Sequence, residues 1–339
     1  MIKIFKMSLA GLLFSVATIS SAGMITPNPT APSIAGTAHI LQDYDSGHIL
    51  MSENADERLP PASITKLMTS YVVSQEIHDG NIKLDDEVLI SEKAWRMIGS
   101  RSFIEVNTKV TVEALLRGMI VQSGNDAAVA LAEHVAGSEE VFAQMMNQYA
   151  QKLGMVNTNY QNATGLPGAE HYTTAHDIAI LSAALIRDFP EHYQWYAEKE
   201  YPYNGITQHN RNKLLWRDNT VDGLKTGHTE EAGYCLSASA KRDGMRLIAV
   251  VLGTASENAR AQEIQKMFNF GFRFFETHQL YAADEAITQT KVWKGQTDQL
   301  NLGLAQPLSI TVPRGRYKDL QASTNIQQPV VAPVAKGSE

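Results

Sequence analysis

Apolar positions recur along this chain at two different periods, and the places where the period changes divide it into elements. Residues 38–44 and 48–51 read as short strands on either side of Asp45-Ser46-Gly47, a turn sequence, so the pair predicts a β-hairpin. Pro60-Pro61 stops that pattern, and a helical region follows over 63–76. Residues 112–121 carry apolar side chains at helical spacing. Gly124 interrupts them, and 127–135 resume as a second helix ended by Gly137. Thr174-Ala175-His176-Asp177 resembles a capping box ahead of a helix over 178–186. The period then shortens: 223–228, 234–240 and 246–252 are strand-like, with Asp243-Gly244 a strong hairpin signal between the last two. Helical spacing returns over 258–276, with Ile264, Phe268, Phe272 and Phe275 on one face. Past His278 only short β-like runs remain, at 291–293, 300–302 and 308–312.

Strands at both ends of a mostly helical middle predict an α+β fold, an antiparallel sheet flanked by helices. The expected organisation is a leader over 1–22, a flexible lead-in over 23–36 carrying Pro27, Pro29 and Pro32, a main domain over 37–277, and a small β-rich C-terminal domain over 278–339 that reads as incomplete at Glu339. The leader has the order of an export signal: Lys3 and Lys6, an apolar run over 7–19, then Ser20-Ser21-Ala22 for cleavage. That run is short for a membrane span of about 20 residues.

Charge and cysteine content narrow the function. The formal net charge is −7, and it becomes more negative once the leader's lysines are removed; nucleic acid and anionic lipid are poor partners for such a chain. A single cysteine, Cys235, excludes an internal disulfide, and its apolar strand-like surroundings make it a core residue rather than a reactive thiol. The ten histidines show no His-Glu-x-x-His spacing, and no glycine-rich phosphate loop is present, so no metal or cofactor is expected.

Three short strings carry candidate chemistry. Ser63-Ile64-Thr65-Lys66 sets a hydroxyl and an amine three residues apart, on one face of a helix, near an N-terminus whose dipole favours developing negative charge. A serine needs such a neighbouring base to become a nucleophile. Ser123-Gly124-Asn125 falls in the predicted helix break, where side chains project into a cleft. Lys225-Thr226-Gly227 falls on a predicted strand, its glycine admitting a substrate backbone while the lysine and threonine offer a cation and a donor. Ser-x-Asn recurs at Ser52 and Ser256 and says little alone, whereas Ser-x-x-Lys and Lys-Thr-Gly each occur once. The order helix start, helix break, strand is what discriminates.

With Pro61-Ala62-Ser63, Ser123-Gly124-Asn125-Asp126-Ala127, Asn162-Ala163-Thr164-Gly165-Leu166-Pro167, Gly271-Phe272-Arg273-Phe274-Phe275 and Pro313-Arg314-Gly315, the chain resembles the low-molecular-mass penicillin-binding serine D-Ala-D-Ala carboxypeptidases from about residue 38 to 320. The resemblance implies the serine β-lactamase and penicillin-binding transpeptidase-like fold. It implies an acyl-enzyme on Ser63, with Lys66 as base in both halves of the reaction and the Lys225 cation keeping Lys66 neutral. Ser123 passes a proton to the leaving amine and Asn125 orients the hydrogen bonds. The backbone N–H groups of Ser63 and His228 make the oxyanion hole. Thr226, beside Gly227, and Arg260 bind the terminal carboxylate, Arg260 being placed by its spacing from Gly271-Phe272-Arg273. The implied substrate is a peptidoglycan stem peptide ending in D-Ala-D-Ala, the implied inhibitors are β-lactams, and the implied location is the periplasm.

Two rivals stand beside that reading. A class A β-lactamase shares the three strings but needs a Glu-x-x-Leu-Asn segment for deacylation, and none lies between Ser123 and Lys225. A non-catalytic wall-binding protein on the same fold would not need every catalytic residue, yet all are present. Glu170 and Asp177 read as solvated or capping groups. The family's C-terminal amphipathic membrane-anchor helix has no counterpart near the end, which fits either a periplasmic protein or a longer, peripherally bound form.

Overall fold

The computed structural model describes residues 30–323 and 329–333. The export leader and the lead-in prolines Pro27 and Pro29 lie outside those residues. The chain divides into one compact unit over Ala31–Phe272 and another that includes Arg273–Glu339.

The first unit is built on a five-stranded antiparallel sheet. Its strands are β1 (Ala38–Asp43) and β2 (Ile49–Glu53), which form the predicted hairpin, and β3 (Val221–Thr229), β4 (Gly233–Arg242) and β5 (Met245–Thr254), in spatial order β2-β1-β5-β4-β3. Asp243 and Gly244 join the last two with φ of +49° and +87°, the paired positive values that a tight hairpin turn of this hand requires. The nearly unbroken apolar run of β5 follows from both faces of the sheet being covered. Ile248, Val250 and Leu252 join Ala38 and Ile40 in the main core, while Leu41 and Leu247 lie under Gly271, where a Cβ would press on both leucines.

The helices of the middle segment are α1 (Lys66–His78), α2 (Val112–Val121), α3 (Asn125–Ala136), α4 (Glu139–Leu153) and α5 (Ala175–Asp188); α6 (Glu257–Phe274) follows the last strand. Every residue of α1 from Lys66 to Ser74 is buried, polar ones included, so the helix is wrapped on all sides. Capping fixes the others. Thr111 and Thr174 accept from the third amide of α2 and α5, and Gly137 closes α3 at φ +77°. Helix α4 has no counterpart among the elements read from the sequence. Ser138 caps it, two glutamates fill its first turn, and Gly154 ends it in the left-handed conformation.

Two boundaries move. Residues expected to belong to a flexible lead-in are docked: Ile34 is buried, and Ala35 N donates to Glu263 Oε2 of α6 at 3.1 Å. Helix α6 stops at Phe274, and Phe275 opens a strand instead of continuing the apolar face of Ile264, Phe268 and Phe272. In the second unit, β6 (Phe275–Tyr281) and β9 (Leu308–Pro313) form an antiparallel pair. There β7 (Ala286–Trp293) lies between β8 (Gln299–Gly303) and β10 (Val330–Val331).

Candidate active site

Ser63 sits at a sharp change of direction. Pro61 precedes Ala62, which is held at φ +47°, and one 3-10 turn over Ala62–Thr65 then delivers the chain into α1. The serine therefore lies in this 3-10 turn, not in the first turn of an α-helix as the sequence suggested. The tighter winding eclipses side chains at i and i+3, which is the spacing of Ser63 and Lys66. Lys66 Nζ is 3.0 Å from Ser63 Oγ, 2.7 Å from Asn125 Oδ1 and 2.6 Å from the Thr164 carbonyl oxygen.

Those three partners determine what the amine can do. Asn125 Oδ1 and a backbone carbonyl only accept, so each takes an N–H from Lys66. A neutral amine has two N–H donors and one lone pair; with both donors committed, the lone pair faces the Ser63 hydroxyl. Burial brings the amine down to about 7, and the Arg211 charge pushes the same way against Asp126 and Glu139. The neutral form is thus abundant near pH 7.

The loop between α2 and α3 supplies the next groups. Ser123 is buried at φ +68°, and its hydroxyl has no hydrogen-bond partner among the described residues. Gly124 is tightly enclosed: a Cβ there would strike the Ser102 hydroxyl. Asn125 opens α3 and donates Nδ2 to the Ile98 carbonyl at 2.6 Å, which fixes its amide so that Oδ1 faces Lys66.

The opposite wall comes from β3. Lys225 is buried and donates to the Thr226 carbonyl at 3.2 Å; burial first and Lys66 second hold its amine well below the ordinary range. Gly227 passes close over the Ser63 turn, with an added Cβ only 3.0 Å from the Pro61 carbonyl, and its own carbonyl accepts from Arg260 Nη1 at 3.0 Å. His228 is exposed, and its ring stacks on Tyr234 at 3.9 Å. Ser63, Ser123, Asn125, Thr226, Gly227, His228 and Arg260 all line one cleft of about 380 Å³, at the small end of ligand-pocket sizes.

A half-buried serine beside a buried lysine, facing a Lys-Thr-Gly strand across one cleft, is an acyl-transfer geometry, and comparison with known proteins agrees. Residues 25–256 match the peptidase S11 family, D-alanyl-D-alanine carboxypeptidase, and residues 275–339 match the penicillin-binding protein 5 C-terminal domain. The chain belongs to the D-alanyl-D-alanine carboxypeptidase family. It is 47% identical over 315 residues to the Escherichia coli D-alanyl-D-alanine carboxypeptidase DacC, covering 91% of this chain and 79% of that one. The crystal structure of penicillin-binding protein 5 from Haemophilus influenzae superposes with a TM-score of 0.88 at 43% identity, covering 91% of this chain and 92% of that one. Penicillin-binding protein D2 from Listeria monocytogenes, solved in its ampicillin-bound form, matches at 30% identity and a TM-score of 0.66, covering 72% of this chain and all of that one.

Within this carboxypeptidase frame, burial is the larger cause of the lowered Lys66 amine, and the Arg211 charge adds to it. Lys66 and Lys225 repel one another, so each disfavours the other's charged form. Sequence reading also missed three participants. The Thr164 carbonyl is a backbone atom with no side-chain signature, although its segment stood out as a family string. Arg211 is an isolated exposed residue on the cleft wall. His171 is buried; its Nδ1 accepts from Gln161 N at 3.0 Å, so Nε2 carries the proton and donates to Thr65 Oγ1 at 2.8 Å. Burial and the Lys66 charge hold that ring down to about 4.

Glu170 is exposed and does not line the cleft, while Asp177 accepts from Asn157 N and Thr158 Oγ1 at the start of α5. Cys235 is a buried thiol, pushed up to about 11 by burial. Among the described residues no group of His, Cys, Asp and Glu is gathered for a metal ion, and no helix is long and apolar enough to cross a membrane.

Proposed function

We propose that this chain removes the terminal D-alanine from peptidoglycan stem peptides ending in D-Ala-D-Ala, through an acyl-enzyme on Ser63. The observation that carries this reading is the Lys66 amine, 3.0 Å from Ser63 Oγ with its other two positions tied to acceptors. Ser63 Oγ attacks the carbonyl carbon of the penultimate D-alanine as its proton passes to Lys66 Nζ. The C–N bond breaks, and the partnerless Ser123 hydroxyl relays that proton to the leaving amine, so free D-alanine departs. Water then adds to the ester with Lys66 again as base, releasing the shortened peptide and restoring Ser63.

The developing oxyanion is bound by the backbone N–H groups of Ser63 and His228. The terminal carboxylate meets Thr226, Arg260 and the positive field of Lys225, beside the open backbone of Gly227. Arg260 spends one donor on the Gly227 carbonyl and keeps others for the substrate. In a β-lactam the leaving nitrogen stays attached, so the acyl-enzyme persists and the drug inhibits covalently. A lactamase would need a carboxylate aimed at the ester; Glu170 does not line the cleft, and Glu257, which does, is paired with Lys213 at 2.9 Å. In this reading the unit over Ala31–Phe272 is the catalytic one, and the β-rich unit begins at Arg273. The leader over 1–22 directs export to the periplasm, and the chain needs no cofactor.

The test is release of D-alanine from diacetyl-Lys-D-Ala-D-Ala. Release is expected from the wild type and its abolition in Ser63→Ala, with circular dichroism unchanged. Undiminished release by that variant would refute the assignment.

A further inference from the structure

Two loops present the carbonyls that fix the site. Thr164 O holds Lys66, and Ile98 O holds Asn125 Nδ2. Neither loop is anchored by the residues it serves alone. Ala163 N donates to Glu139 Oε1 at 3.2 Å, and the Ala163 carbonyl accepts from Thr69 Oγ1 at 2.7 Å. Asn162 Oδ1 gathers the amides of Thr164 and Gly165 at 3.1 and 2.7 Å. On the other side, a short helix over Glu92–Trp95 is capped by Ser91 and leads directly into the segment carrying Ile98. Lys93 of that helix reaches across to Glu139 Oε2 at 3.2 Å. Glu139 is buried at the first turn of α4; Lys93 is 44% exposed and also touches Glu140 at 3.3 Å.

We propose that Glu139 and Lys93 are a positioning pair for the Lys66 base: one ion pair stitches together the two loops whose backbone carbonyls hold Lys66 and Asn125. The proposal rests on the acyl-transfer reading of the site. Its plain structural alternative is that Glu139 only complements the N-terminus of α4. The two readings separate because the pair is also electrically coupled to the base. Lys66 feels the Glu139 and Asp126 carboxylates, the Arg211 guanidinium and the Lys225 amine, with neutral His171 behind the Ser63 turn. Removing the Glu139 charge makes Lys66 lose its proton more readily. Removing the Lys93 charge leaves Glu139 unopposed and makes Lys66 hold its proton more firmly.

The experiment is the pH dependence of kcat/KM for D-alanine release from diacetyl-Lys-D-Ala-D-Ala by the full chain, Glu139→Gln, Glu139→Ala and Lys93→Met. The acid limb is expected to move down by about half a unit in Glu139→Gln and up by a similar amount in Lys93→Met, as a single charge acting through partly buried surroundings should produce. Glu139→Ala, which also takes the acceptor from Ala163 N, is expected to lose about tenfold more plateau activity than Glu139→Gln. Lys93 is half-exposed, so its variant keeps the test open if Glu139 proves necessary for folding. Limbs that superimpose with the wild type, or that move in the same direction in Glu139→Gln and Lys93→Met, would overturn the proposal. No release by the wild type would instead overturn the functional reading beneath it.

Discussion

The two walls of the cleft each bury a lysine, and the two lysines are held in opposite ways. On the helical wall, Lys66 has three partners and every donor direction is assigned. On the sheet wall, Lys225 has among the described residues one hydrogen bond, 3.2 Å long, to its own neighbour's carbonyl, and no carboxylate there pairs with it. A fully assigned amine has a directed lone pair and can move a proton. An under-assigned amine beside Arg260 is instead held back from its charged form until an anion arrives to favour it. Thus one residue type does two jobs in one cleft, and the difference lies in how many acceptors surround each.

The largest effect that would break this contrast is at the helical wall. Lys66→Met removes the base while filling the same buried space. Loss of about 10³-fold in both D-alanine release and acylation by benzylpenicillin is expected, at the upper part of what general-base catalysis supplies. Thermal unfolding should be unchanged or improved, because the buried amine that is lost was costly to desolvate. A variant that kept penicillin acylation near wild-type rates would show that the base lies elsewhere.

The sheet wall is sharpened by removing the anion from either side. Arg260→Gln is expected to lower kcat/KM for the peptide by about 10², the scale of a charge-assisted contact. On a substrate whose terminal carboxylate is amidated, the wild type should lose a similar factor and Arg260→Gln should add little further. Full additivity of the two losses would mean that the guanidinium does not meet the carboxylate.

How far the sequence revealed these walls follows from what each part is made of. Ser63, Lys66, Lys225, Thr226 and Gly227 were legible because spacing on a helix and alternation on a strand fix side-chain direction. The Asp243-Gly244 hairpin and the caps at Thr174 and Gly137 were legible for the same local reasons. The Thr164 and Ile98 carbonyls were not, since any residue supplies a carbonyl and only the fold says which one faces an amine. Arg211 and His171 stand on loops without period. Helix α4 was missed although Ser138 and the two glutamates after it form an ordinary N-terminus, and α6 was read two residues too far because Phe275 keeps the apolar spacing after the backbone has turned to a strand.

A smaller effect is expected where the Thr164 loop crosses the Ser63 turn. Gly165 lies at φ +85°, and a Cβ there would run into the Ala62 carbonyl. Gly165→Ala should cost about 1–3 kcal/mol of stability by thermal or urea unfolding, and a lesser fraction of activity through the displaced Thr164 carbonyl. The smallest effect is at Cys235. Its thiol is buried and pushed up to about 11, so it should resist thiol reagents in the native state, and Cys235→Ala should leave D-alanine release unchanged.

The claim that neutral Lys66 takes the Ser63 proton is tested most directly by the rate of benzylpenicillin acylation as a function of pH, followed by intact mass with the modified peptide mapped. Burial places the amine near 7, and the neutral form is the base, so the rate should climb as pH rises through about 7 and level off above it, with the adduct on Ser63. A rate independent of pH between about 5 and 9, or an adduct on a peptide without Ser63, would contradict it.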